Sequence, residues 1–258
     1  MTSAPESDQA PGPNPGRSTS TFAAFHHRNF AGFFVGQLIS QVGHWLQAVA
    51  QVLLVIHLTD NGEALGWLAM CQFAPVLLLG AWAGALADRS DKRRLLLWIQ
   101  LGTMVQSVCM VLVAFAERPS LAAIYLLATI RGVSIALDSP ARRSFIAELV
   151  PEQDVSNAVS LYVAMMTGAR VVGPALAGIL VTAVGFGWTF FADAASFLAV
   201  ILSLVAMNRA RLRPSPRMAR TRGQVRESAR YARGIRDLWI PIVMSAIIGT
   251  FAWNFQTV

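Results

Sequence analysis

Six polar side chains, Gln37, Ser40, Gln41, His44, Gln47 and Gln51, fall within an arc of about 120° when residues 37–51 are wound at 100° per residue. They lie inside an otherwise apolar run, where a stripe of hydrogen-bonding groups is costly against lipid. Such a stripe must face a watery cavity or polar helix partners. His44 has the chemistry of a proton-exchange group near neutral pH; its other reading is a histidine hydrogen-bonded between helices. Four charged residues sit in comparable surroundings: Arg131, Asp138, Arg170 and Asp193. Arg131 lies about 17 Å from the outer end of its apolar stretch, near mid-membrane, and leaving it unpaired there costs at least about 3 kcal/mol. Asp138 is seven residues on, on the same face but two turns away, too far for an unaided pair. Arg131 and Arg170 are thus either structural, bonded to backbone carbonyls, or functional, contacting substrate or coupling ion. Asp193 has three placements open to it: paired with Arg170, lining the cavity, or at the interface.

The elements that position these groups are membrane helices. Runs 29–59, 64–87, 95–116, 171–192 and 238–258 contain no Asp, Glu, Lys or Arg, and each can cross a core of about 30 Å at roughly 1.5 Å per residue. Stretches 119–141 and 155–170 are broken chiefly by Arg131 and Arg170. The pattern predicts helices over 30–58, 64–87, 95–116, 120–141, 156–184, 188–207 and 239–258, the fifth and sixth divided by a tight turn at Gly185 to Gly187. Hydrophobic residues make up 55% of the chain and charged residues 14%, against about 25% charged in soluble domains. Residues 1–24 form a Pro-rich tail with no apolar run, which reads as disordered rather than as a signal peptide.

The net charge of +7 is a matter of topology, not of nucleic-acid binding. Counting loops alternately, 18 of the 21 basic residues fall on one side and Arg118 alone on the other, so the N-terminus is expected to be cytoplasmic. Trp67, Trp98, Trp188 and Trp239 fall near span ends, as an aromatic belt requires. The long loop 208–237 carries Val225, Ala229, Ala232, Ile235 and Trp239 on one arc and Arg226, Arg230 and Arg233 on another. It reads as an amphipathic helix on the anionic leaflet or as a solvated basic linker. Cys71 and Cys109 both lie in apolar spans and read as packing residues. No phosphate-binding loop, His/Cys metal spacing or nucleophile elbow is present, so no enzyme, metal or cofactor is implied.

Several segments carry a resemblance. Between the second and third spans, Gly84, Asp88, Arg89, Arg93 and Arg94 resemble the G-x-x-x-D-R-x-G-x-R-R loop of the major facilitator superfamily, with Asp91 where the second glycine is usual. Here Gly84 is expected to permit close helix packing, Asp88 to accept hydrogen bonds, and the basic cluster to hold the turn at the headgroups. In the fifth span, Gly173, Pro174 and Gly178 resemble the G-P-x-x-G-G signature of the superfamily's exporters, with Ala177 at the first of the paired glycines. Ala169, Gly173 and Ala177 recur every four residues as a smooth face for close packing. Arg131-Gly132 is similar to the arginine of the same antiporters, with Ser134 at the usual glutamine position, and His44 stands where relatives often carry Asp. Beyond the predicted fourth span, Ser139 to Arg143 and Glu148 to Pro151 resemble the P-A-R and E-L-V-P segments of the transmembrane secretion effector branch, which includes enterobactin exporters.

The resemblance implies an all-α polytopic protein: a six-helix N-terminal bundle of the major facilitator fold (25–207), a central cytoplasmic loop (208–237) and part of a seventh helix (238–258). It implies export of a small molecule, siderophore-like or drug-like, across a bacterial inner membrane, by alternating access coupled to a cation, the proton first. The expected partners are the bilayer, the substrate and a second half supplied in cis or in trans. The alternative is a half-length scaffold or regulator of a full-length partner.

Overall fold

The computed structural model describes residues 21–213 together with Met244. Five long helices dominate: α1 Arg28–Thr59, α2 Gly62–Arg89, α3 Lys92–Phe115, α4 Leu121–Leu149 and α5 Val155–Ala206. All five are long and apolar enough to cross a membrane. The seventh helix and the amphipathic segment of the loop lie outside the described residues.

Polar residues at the turns start these helices. The Asn61 side chain accepts from Glu63 N at 2.9 Å, Asp91 from Arg94 N at 3.0 Å and Ser120 from Ala123 N at 3.4 Å, each meeting a backbone donor that lacks an intrahelical partner. Asp91 is extended, with φ −66°. The glycine that usually occupies that place is therefore replaced by a capping residue and not by a strained one. α1 ends in a left-handed Asp60, φ 48°.

α5 is broken at Gly185, where φ 84° and ψ 175° are non-helical and glycine alone is comfortable. Its two arms, 155–184 and 186–206, run in opposite directions along α1. On the first arm Asp154, just before it, meets His27 and Gly173 abuts Trp45. On the second, Phe186 lies near His57, Ser196 beside Gly43, Ala199 beside Gly36, and Asn208, just beyond it, bonds Asn29. The turn expected around Gly185 is this break.

Two apolar cores form at opposite ends of the bundle. Phe30, Phe33, Leu96, Phe145, Val200 and Leu204 belong to one. Leu54, Leu68, Met110, Ile124 and Phe190 belong to the other. Between them runs a buried polar layer that includes Gln37, Gln41, Gln100, Gln106, Arg131 and Asp193.

α4 departs from expectation. It continues to Leu149 instead of stopping near 141, so the segments resembling P-A-R and E-L-V lie on the helix and not after it. The physical reason is local: Arg142 forks onto Asp138 one turn back, at 2.6 Å and 2.5 Å, which carries the helix past Pro140 despite its missing donor.

Candidate functional site

The polar layer centres on Arg131, only 3% exposed. Its Nη2 donates to His44 Nδ1 at 2.7 Å, its Nη1 lies 3.6 Å from Asp193 Oδ2, and its guanidinium sits 5.5 Å from the Phe197 ring centre. Because guanidinium only donates, His44 accepts at Nδ1, and a proton on the neutral ring must be on Nε2. Asp193 is fully buried and also accepts from the Ser107 hydroxyl at 2.7 Å. α1, α3, α4 and the second arm of α5 thus each contribute one group to a single network. Removing one member of such a buried pair costs about 3–5 kcal/mol, because the other charge is stranded.

A second network lies farther along α4. Arg142 forks onto Asp138, and Gln100 Nε2 donates to Asp138 Oδ1 at 2.9 Å. A cavity of about 130 Å³ touches both networks; its walls include Gln37, Gln41, His44, Gln100, Arg131, Asp138, Arg142 and Tyr162.

The sequence-derived candidates divide accordingly. Gln37, Gln41, His44, Arg131 and Asp138 line the cavity. Gln47 does not: it donates to Gln106 at 3.5 Å, while Gln51 donates to Ile124 O at 3.4 Å. The lower part of the stripe is cavity wall, and the upper part serves helix packing. Asp193 pairs with Arg131 and not with Arg170, whose guanidinium lies 5.9 Å from the Trp45 ring centre.

The loop motif needs two corrections. A Cβ at Gly84 meets nothing within 4 Å, so close packing at that glycine is not found among the described residues. Nor does the whole basic cluster reach for headgroups. Arg93 is buried and donates to Leu204 O at 2.7 Å and Val205 O at 3.2 Å, closing the end of α5. Lys92 donates to Glu148 at 2.6 Å, both ends being buried. Arg94 is exposed, with its Nε 3.7 Å from Asp91 Oδ2, while Asp88 is exposed and Arg89 half-buried. In the Gly-Pro helix, Gly173 abuts Trp45, and Ala169 and Ala177 are buried on the same stripe; Gly178 has open space around it.

Sequence reasoning missed Ser107, Gln100, Trp45 and the Lys92–Glu148 pair. The spacing of Asp138 and Arg142 carried an i,i+4 signal; the long-range contacts carried none.

The family model of the transmembrane secretion effectors matches residues 19–257. The chain belongs to this family, within the major facilitator superfamily. It is 32% identical over 175 residues to the staphyloferrin A transporter of Staphylococcus aureus, covering 67% of this chain and 44% of that protein. It is 26% identical over 192 residues to the enterobactin exporter EntS of Salmonella typhimurium, covering 74% and 46%. To macrolide efflux protein A of Streptococcus pyogenes it is 24% identical over 154 residues, covering 58% and 37%. The chain spans less than half the length of each of these relatives. This secretion effector chain is therefore a multi-pass membrane protein of a transporter family that includes siderophore and drug exporters.

Proposed function

We propose that the chain forms the N-terminal half of a secondary exporter, crossing a bacterial inner membrane six times within residues 25–207 with its N-terminus in the cytoplasm. It expels a small molecule by alternating access, exchanging it for a proton. The observation that carries this reading is the hydrogen bond from Arg131 to His44 at the cavity wall. As long as Nδ1 is bare, His44 holds one side of the guanidinium. A proton arriving at Nδ1 turns the acceptor into a donor, breaks that bond and places two cations side by side, so Arg131 is driven toward Asp193. Proton occupancy is thereby linked to the shape of the cavity, as coupling requires. The glutamines Gln37 and Gln41 offer the substrate neutral hydrogen bonds on the same wall. Gly173, Pro174 and the α2–α3 turn supply the packing faces and end contacts between moving parts.

The test is flux in everted membrane vesicles from cells producing the protein, with candidate substrates added outside. Uphill accumulation that collapses with a protonophore and is lost in His44→Leu is the expected result. Accumulation indifferent to the proton gradient overturns proton coupling, and its absence with every substrate tried, against a positive control relative, overturns export.

A further inference from the structure

We propose that the exposed arginines Arg28 and Arg209, where α1 begins and α5 has just ended, form a docking site for the phosphate of an anionic phospholipid. The inference is independent of the export reading, because it concerns the rim of the bundle and not the cavity.

The backbone that carries these arginines is fixed by its own hydrogen bonds. Asn29 Nδ2 donates to Asn208 O at 2.9 Å, and Asn208 N donates to Asn29 Oδ1 at 3.2 Å. Arg28 and Arg209 are the residues that flank this reciprocal pair, so their side chains leave from two tied segments. Asn208 Oδ1 then accepts from Ala210 N at 3.0 Å and caps the short helical turn Arg209–Arg211. Leu212 packs against the core that holds Phe30 and Leu204, and Arg213 N donates to Glu148 O at 3.0 Å. The turn is thus pinned at both ends, with Arg209, Arg211 and Arg213 left exposed.

Charge decides what can settle there. Asp154 accepts from His27 at 2.8 Å, Glu148 accepts from Lys92 at 2.6 Å, and Asp91 lies 3.7 Å from Arg94. Asp88 and Glu152, both exposed, pair with none of the rim arginines. The side chains of Arg28, Arg209, Arg211 and Arg213 make no ion pair or hydrogen bond among the described residues. Four cations therefore share this rim without a bound carboxylate, and the guanidinium fork matches the oxygens of a phosphate two at a time.

Depth makes a lipid the source of that phosphate. The helices are long and apolar enough to cross a membrane, and Arg28 and Arg209 stand at their ends, where headgroups lie. Along the same helices the surface turns apolar at once: Val35 on α1 and Leu202 and Val205 on α5 are exposed. A phosphate held at the rim leaves its acyl chains to run over this surface, as anionic lipids do at basic sites between membrane helices. A zwitterionic headgroup fits less well, since its amine brings a further cation to a surface that already has four.

The test is native mass spectrometry of the full chain in an uncharged detergent, given equimolar phosphatidylglycerol and phosphatidylcholine with the same acyl chains. Retention of phosphatidylglycerol at least fivefold over phosphatidylcholine is expected. In Arg28→Gln with Arg209→Gln that preference should fall at least threefold. Arg226→Gln with Arg230→Gln removes the same charge from the loop beyond and should keep the preference within twofold. Arg28 and Arg209 are exposed, so the fold should survive, as thermal midpoints check. Should it not, Arg209→Gln alone, expected to lose at least twofold, decides. Excess inorganic phosphate should leave the lipid bound. No preference between the lipids, undiminished preference in the Arg28 and Arg209 variant, or an equal fall in both paired variants overturns the proposal. So does displacement of the lipid by phosphate, which would mark a site for a free anion.

Discussion

Arg131 is held by groups from two other helices, and that arrangement makes its energetics testable by substitution. Arg131→Ala strands Asp193 in the bundle and is expected to cost about 3–5 kcal/mol. Asp193→Asn in the same chain removes the stranded charge, so the double variant should be more stable than Arg131→Ala alone, with a coupling of about 1–3 kcal/mol. Thermal unfolding of the four purified proteins measures this; strict additivity would place Arg131 and Asp193 in separate environments. His44 has a sharper control. Asn offers a carbonyl oxygen near the place of Nδ1, whereas Leu offers none. His44→Asn is expected to keep most of the stability and His44→Leu to lose about 1–3 kcal/mol by leaving a charged donor unmet, while both lose the capacity to take up a proton there. Composition and period were enough to single out His44, Arg131 and Asp193 as polar groups within apolar spans. Their mutual pairing was not legible, because it depends on which faces of α1, α4 and α5 meet, and the sequence periodicity of one helix says nothing of the rotation of its neighbour.

At the scale of elements, glycines separate packing sites from open ones. A Cβ at Gly173 meets Cβ and Cγ of Trp45, atoms close to the α1 backbone that cannot swing aside. Gly173→Ala is therefore expected to cost about 1–3 kcal/mol by overpacking. Gly178→Ala, with open space around it, should be neutral or gain up to about 1 kcal/mol from helix propensity. Gly185→Ala forces a side chain into φ 84° and is expected to cost about 1–2 kcal/mol. Thermal midpoints of the three variants, compared side by side, decide the ranking. Apart from the end of α4, the starts and ends expected for the first four helices fall within about three residues of those observed, since apolar runs bounded by Asn61, Asp91 and Ser120 advertise them. The end of α4 was hidden by Pro140 and the charges around it, which read as a loop until Arg142 is seen folded back onto Asp138.

For the whole molecule the polar layer between two apolar cores predicts a pattern of water access. With Cys71 and Cys109 replaced, single cysteines at Gln37 and Gln41 should react with a membrane-impermeant thiol reagent, and cysteines at Leu38, Leu46 and Gln47 should not. Leu38 faces outward from the bundle, and Leu46 and Gln47 are sealed in it. Reaction at Gln47 as fast as at Gln41 would mean that the cavity extends along the entire stripe. The side of the membrane from which Gln41 reacts also tests the cytoplasmic N-terminus expected from loop charge.

α4, finally, has the length of a lever. Its 29 residues measure about 44 Å, well beyond a bilayer core of about 30 Å. Arg131 stands at the cavity, and Glu148, roughly 25 Å farther along, sits at the far tip with its oxygen on Lys92. A tilt of about 5° pivoting at the cavity sweeps that tip through roughly 2 Å, more than a 2.6 Å hydrogen bond survives. Under the proposed alternating access, any such tilt of α4 would have to part Lys92 from Glu148. Bridging Lys92→Cys and Glu148→Cys with a short bis-maleimide, in the chain lacking Cys71 and Cys109, should arrest flux while leaving binding in the cavity intact. Undiminished flux through the bridged protein would separate the α4 tip from the proposed export cycle.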